Sequence, residues 1–164
     1  MSMAEIDLKN VHELQIYTDG ACSPNPGNGG WGAVIVSPSG QTLEMSGAPK
    51  ERTTNNRMEM LAAIEALEFL HKRRGPMYIC VHTDSKYFYN GVTLYSYNWR
   101  KNGWLLSNGD PVKNQDLWMR FDAMRSSHSL VRMNWIKGHN GTEHNERADR
   151  LAVAAREALV TSHY

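Results

Sequence analysis

Cysteine is nearly missing from this chain: Cys22 and Cys80 stand far apart and outside any Cys-x-x-Cys pair. That excludes a disulfide framework and a structural zinc site of the usual spacing. No run of about 18 apolar residues occurs, which excludes a membrane-spanning helix. The opening residues, MSMAEIDLKN, have neither a basic start nor an apolar signal core, so a cytoplasmic protein is expected. An excess of charge is missing too. With 18 Lys and Arg against 17 Asp and Glu the net charge is +1, and any surface for a polyanion must be local. Repeats, linkers and low-complexity segments are absent. What remains is ordinary globular composition, 41% hydrophobic and 21% charged over 164 residues. One domain of that length buries about two thirds of its unfolded surface, and residues 1–12 read as a loosely ordered lead-in. Asn140-Gly141-Thr142 matches a glycosylation acceptor but, without secretion, reads as a turn.

The stretch Leu14 to Gly30 organises the rest. Leu14, Ile16 and Thr18 alternate with Gln15, Tyr17 and Asp19, the period of a half-buried strand that would end at Asp19. Gly20, Pro24, Pro26, Gly27, Gly29 and Gly30 then read as a long turn. A lone Thr-Asp-Gly is ordinarily an aspartate capping its own turn. The pattern recurs, however. Met77 to Thr83 is a near-continuous apolar run, typical of a strand buried inside a sheet, and it delivers Asp84 at its carboxyl end. In open α/β sheets the carboxyl ends of strands line the ligand crevice, so aspartates on neighbouring strands would face one place.

Trp31 to Val36 and Gln41 to Ser46 flank the turn Ser37-Pro38-Ser39-Gly40 and complete an antiparallel meander. Met58 to Leu70 predicts the long helix, stopped by Gly75-Pro76. Glu65, Glu68 and Lys72 share one face of it. At about 100° per residue, Glu59 lies roughly 120° to 180° away and points toward the core. Tyr87 to Trp104 holds about half of the aromatic residues, with Arg100, Lys101 and Lys113 in or beside it. Rings that pack on bases or sugars, interleaved with cations for phosphates, suit a nucleic-acid surface, although about half of these rings are expected in the core. Asn114 is placed to cap a helix with Leu117, Phe121 and Met124 on its buried stripe and Trp118 beside it. Leu130 to Ile136 reads as the fifth strand, and glycines on both sides of His139 mark a loop. The last helix, Glu143 to about Val160, buries Ala148, Leu151, Ala152, Ala155 and Leu159. Asp149 borders that stripe and Asn145 lies one turn earlier; a surface pair of Asp149 with Arg150 or Arg156 is the plainer alternative.

Asp19, Glu59, Asp84 and Asp149 thus point inward or toward strand ends. Gathered without a cation they would repel one another strongly enough to protonate or loosen the fold. Hard oxygen ligands of this kind suit Mg²⁺ or Mn²⁺ rather than zinc or copper, and two such ions are suited to phosphodiester hydrolysis.

Thr18-Asp19-Gly20, Thr54-Asn55-Asn56-Arg57-Met58-Glu59, Thr83-Asp84-Ser85, Lys137-Gly138-His139 and Asn145-Glu146-Arg147-Ala148-Asp149 resemble, in order and spacing, the bacterial type 1 ribonuclease H family over about residues 13 to 160. The resemblance implies an α/β, ribonuclease H-like fold, a five-stranded mixed sheet flanked by helices. It also implies a monomeric endonuclease that cuts the RNA strand of RNA–DNA hybrids with two Mg²⁺ ions, or Mn²⁺ in their place. Position by position, the metal ligands match Asp19, Glu59, Asp84 and Asp149, with Asp19 bridging both ions. His139 matches a histidine that aids proton transfer or product release. Asn25, Thr54, Asn55 and Arg57 match contacts to the DNA strand's phosphate or the RNA strand's sugars and bases, and Cys22 and Ser85 match minor-groove contacts. Tyr95, Trp99, Arg100, Lys101, Trp118 and Asn145 complete the implied substrate surface. The chain departs from the family's best-known members between Trp99 and Lys113, where a lysine-rich protrusion is thinned to Arg100, Lys101 and Lys113, offset by Asp110. Two competing readings are an inert hybrid- or duplex-binding module of the same fold and another metal-dependent nuclease such as a resolvase or integrase core. The full set of acids opposes the first, and the Thr-Thr-Asn-Asn-Arg-Met-Glu segment opposes the second.

Overall fold

The alternating segment at Leu14 becomes β1 (Leu14–Ser23), the middle strand of a mixed sheet in the computed structural model, which describes residues 13–137 and 142–161. The turn after it is shorter than expected, because β2 (Asn28–Val36) already includes Gly29 and Gly30. β3 (Thr42–Gly47) follows antiparallel, and β4 (Tyr78–Thr83) and β5 (Leu130–Trp135) lie parallel on the other side of β1. The order is β3-β2-β1-β4-β5, the five-stranded mixed sheet implied above.

Asp19 does not end its strand, contrary to the alternation-based expectation. Parallel pairing of β1 with β4 stops at Tyr17 and His82, while the antiparallel ladder with β2 runs on through Asp19 opposite Gly32 to Ser23 opposite Asn28. The sheet therefore forks between β1 and β4. Asp19 and Asp84 each stand just past the fork, where backbone pairing no longer fills the space between the strands.

α1 (Asn55–Arg74) is longer than its apolar run suggested because caps set its ends. Thr54, extended, accepts the Arg57 N–H on Oγ1 at 3.2 Å, and Gly75 ends the helix at a φ of 77°. Its inner residues, Met58, Met60, Ile64, Leu67 and Leu70, enter the main core with Leu14, Ile16, Ile79 and Val81. On its outer side Glu65 and Glu68 meet Arg120 of α4 (Gln115–Ser127) at 3.3 and 2.8 Å. α5 (Glu143–Thr161) covers the opposite face of the sheet and approaches β2 at bare backbone. A Cβ at Gly30 would lie 2.3 Å from the Ala152 carbonyl oxygen, and one at Gly32 would lie 2.4 Å from that of Ala148.

The aromatic stretch is helical: α2 (Lys86–Asn90), a π-helical turn (Gly91–Tyr95) and α3 (Ser96–Lys101). Gly91 seats the Trp118 ring, which packs among Tyr87, Phe88 and Trp99 and is 1% exposed. Phe88 and Trp104 are core and Tyr95 and Tyr97 are exposed, the expected division. Asn114 precedes α4 but does not cap it through its side chain. It is left-handed (φ 61°), and its backbone carbonyl accepts from Leu117 and Trp118. Its amide instead reaches Tyr87 Oη at 2.9 Å and its Oδ1 accepts from Arg57 at 3.3 Å. Among the described residues no helix is long and apolar enough to cross a membrane.

Candidate active site

The Gly20 N–H, just past the fork in the sheet, donates both to Asp19 Oδ1 at 2.8 Å and to Glu59 Oε1 at 2.9 Å. α1 comes this close because residue 20 has no side chain: a Cβ there would lie 2.7 Å from Glu59 N. Asp19 and Glu59 are consequently 3% and 6% exposed, and among the described residues Asp19 Oδ2 and Glu59 Oε2 are buried with no hydrogen-bond partner. Asp84, from the end of β4, completes a triad whose ligand oxygens lie within 4.8 Å of one another. Asp149 projects from α5 into the same cleft, about 350 Å³ in volume, rather than taking a surface partner. Asn55, Asn56, Ser85, Lys86 and Tyr87 line the rest of it.

The electrostatics follow from that packing. Burial, partly offset by the bond with Glu59, pushes Asp19 up to about 6, with the Asp84 charge and Asp149 adding to the rise. Burial and then Asp19 hold Glu59 well above the ordinary carboxylate range. Buried, partnerless carboxylate oxygens in a converging set are costly unless a cation joins them. The donors fit a divalent ion: all are hard oxygens, which suit Mg²⁺ or Mn²⁺, and they converge from three elements.

The implied substrate residues divide into several groups. Asn25 Oδ1 accepts from the Asn55 N–H at 3.2 Å, and Asn55 Oδ1 accepts from Cys22 N at 2.8 Å, so a chain of bonds ties the β1–β2 turn to the start of α1. Cys22 turns its thiol inward to the carbonyls of Pro24 and Thr53. Ser85 sits in the cleft wall and caps α2, accepting from Phe88 N at 3.1 Å. Arg57 grips Asp116 with two bonds, 2.9 and 2.6 Å, and Arg100 grips Asp122 with three, from Nε at 2.9 and 3.0 Å and from Nη2 at 2.5 Å. Lys101 is exposed, and the exposed Tyr95 ring lies 5.7 Å from half-buried Trp99. One expectation is corrected. Trp118 is core because α2 and the π-turn close over it, so its ring offers no surface to substrate. Asn145, in the first turn of α5, is 1% exposed, and among the described residues neither polar atom of its amide has a hydrogen-bond partner. His139 lies outside the described residues. Asn56 and Lys86 were missed, although each directly follows a residue already singled out, and Tyr87 was read only as part of the aromatic stretch; all three lie in the first turn of a helix that opens at the cleft.

A family model described as RNase H matches residues 11–157. The chain belongs to the ribonuclease H family. Curated proteins named Ribonuclease H include one from Ruegeria sp. (strain TM1040), 54% identical over 92% of this chain and 95% of its own. Another, from Paracoccus denitrificans (strain Pd 1222), is 51% identical over 88% and 92%. Among solved structures, LC9-RNase H1, described as a type 1 RNase H with the type 2 active-site motif, superposes with a TM-score of 0.79 at 27% identity over 91% of this chain and 74% of that one. LC11-RNase H1 in complex with RNA/DNA hybrid gives 0.71 at 26% identity over 90% and 99%. The family and the fold implied by the motifs are both borne out, and the acid cluster agrees with the use of a divalent metal by a ribonuclease H.

Proposed function

We propose that this ribonuclease H hydrolyses the RNA strand of RNA–DNA hybrids at the Asp19, Glu59, Asp84 and Asp149 cleft with two divalent ions, Mg²⁺ or Mn²⁺, as a single-domain cytoplasmic monomer. The observation that carries this is the pair of buried, partnerless oxygens, Asp19 Oδ2 and Glu59 Oε2, aimed into a set of converging carboxylates. Asp19, Glu59, Asp84 and Asp149 would hold the ions. When bound, such ions supply activation of the attacking water and stabilisation of the leaving oxygen.

The chain's own residues do the rest. The Gly20 N–H fixes one oxygen of Asp19 and one of Glu59, which limits rotation of both carboxyl groups. Asn55 and Ser85 present amide and hydroxyl groups beside the acids, and Asn25 adds an amide at the turn bonded to Asn55. Groups that donate and accept can test for a 2′-hydroxyl, the atom that separates RNA from DNA. Thr54 and Arg57 at the start of α1 offer a hydroxyl and a guanidinium to a phosphate of the DNA strand, and Tyr95 and Trp99 offer ring faces to its sugars. His139 takes the part of proton transfer or product release by resemblance alone.

Incubation with labelled RNA–DNA hybrid, double-stranded RNA and double-stranded DNA, with Mg²⁺ and with chelator, tests the proposal. Cleavage of only the RNA strand of the hybrid, and only with metal, is expected. Binding without cleavage would return the chain to an inert hybrid-binding module, and cleavage of DNA duplex would make it a different nuclease of the same fold.

A further inference from the structure

Among the described residues that line the acid-walled cleft, Lys86 is the single cation. It opens α2 immediately after Ser85, and its side chain is exposed. Its ammonium stands 5.8 Å from the centroid of the Trp135 ring, an attractive arrangement for a cation on an indole face. Trp135 is itself tied to the site: it is 38% exposed, and its indole N–H donates to the Asp84 backbone carbonyl at 3.3 Å. Asp84, Lys86 and Trp135 therefore form one rim, with the carboxylate, the cation and the aromatic rest held in register by the end of β4 and the end of β5.

The two arginines aimed at substrate are differently placed. Arg57 and Arg100 spend two and three bonds on the carboxylates of Asp116 and Asp122, and meet a phosphate only by sharing or surrendering that partner. An ammonium resting on a ring keeps its charge and leaves its outward N–H groups for another acceptor. A nucleic-acid strand entering a cleft walled by Asp19, Glu59, Asp84 and Asp149 meets like charge, and a cation at the rim offsets that repulsion where the strand must come closest. We propose that Lys86 grips a phosphate of the strand being cut, next to the phosphate presented to the carboxylates, with the Trp135 face as its rest. It supplies at the cleft part of the grip that the thinned protrusion lacks. The assignment rests on hybrid cleavage at this cleft.

Steady-state cleavage of an RNA–DNA hybrid in Mg²⁺ across a range of salt, with parent, Lys86→Met and Lys86→Arg, tests it. Loss of one phosphate contact should raise KM roughly five- to tenfold near 0.1 M salt and lower the salt slope of log KM by about 0.9. kcat should stay within about twofold, and Lys86→Arg should restore KM and slope. The melting temperature of each variant should equal that of the parent. A parent that fails to cut hybrid overturns the cleavage proposal. A parent that cuts, with Lys86→Met keeping its KM and salt slope, overturns the lysine assignment alone. A fall in kcat at unchanged KM also overturns it, because the lysine would then act through Asp84 rather than on the substrate.

Discussion

The carboxylate cleft and the α2–α4 arm treat charge in opposite ways. In the cleft, acids from β1, α1, β4 and α5 converge, and two of their oxygens are buried without a partner. Along the arm, guanidinium groups that could face a nucleic acid are paired with its carboxylates, Arg57 of α1 with Asp116 and Arg100 with Asp122. Polar groups left unsatisfied inside a fold destabilise it, so they persist where something from outside is to satisfy them. Cations already satisfied from within stiffen the surface and dull its pull on a polyanion. The arm of this chain serves first as structure, with Trp118, Phe88 and Phe121 as its packed centre.

The sharpest way to break this contrast is at Asp19. Asp19→Asn should abolish Mg²⁺-dependent cleavage, yet it removes one of a set of mutually repelling acids, so the melting temperature in chelator should hold or rise. A clear fall in melting temperature with cleavage retained would make Asp19 a structural partner and the cleft an ordinary polar pocket.

The arm should respond in the reverse sense. A methyl group at Gly91 would stand 2.1 Å from the Trp118 ring. Gly91→Ala should therefore cost about 1–3 kcal/mol or more in urea unfolding, by overpacking. The folded remainder should keep its metal requirement. Unchanged stability would mean that the arm is looser than its packing indicates.

A smaller effect separates a satisfied buried group from the unsatisfied acids. His128 Nε2 donates to the Leu67 carbonyl at 2.9 Å, and Nδ1 accepts from Met77 N at 3.2 Å, which requires the neutral ring. Burial, opposed by the Leu67 bond and helped by His71, lowers its pKa. The unfolded chain then binds the proton more readily. The stability contributed is intact above the unfolded value of about 6.5 and is lost as pH falls through the lower folded value. Parent protein should lose more urea stability between pH 7 and pH 5 than His128→Gln does, and equal losses would remove His128 from the acid response.

The smallest effect expected is at the paired arginines. Asp122→Asn frees Arg100, and should lower KM for hybrid severalfold and steepen the salt slope by at most about 1. Arg100→Ala, removing a guanidinium that is already occupied, should cost about 0.2–1 kcal/mol of stability and change KM little. A large rise in KM from Arg100→Ala would show that Asp122 yields its partner to the substrate, and would erase the distinction between cleft and arm.

Much of the fold was legible because its signals are local. Thr54 and Gly75 lie at the ends of α1, alternation runs along β1, the apolar run of β4 ends at Asp84, and the stripe Ala148, Leu151 and Ala152 lies along α5. Glu59 could be placed on the inner face of α1 from helical angle alone. Where the sequence misled, a distant element intervened. Asp19 was expected at a strand end, but β2 supplies a partner beyond the point where β4 leaves. Asn114 has the residue type of a cap, yet Arg57 and Tyr87 compete for its side chain. Trp118 looked like a ring for bases until Gly91 opened a seat for it in the core.

By itself, then, the sequence determined the kinds of element, their order and the identity of the acids, because periodicity, caps and composition act over a few residues. Only the tertiary structure decided which charges stay available. Whether Arg57, Arg100 or Lys86 meets a phosphate depends on whether Asp116, Asp122 or the Trp135 ring lies within reach, and those partners are 59, 22 and 49 positions away along the chain. Ion pairing is settled by distances of a few ångströms that only the packing of α1, α3 and α4, and of β5 beside the fork, brings about.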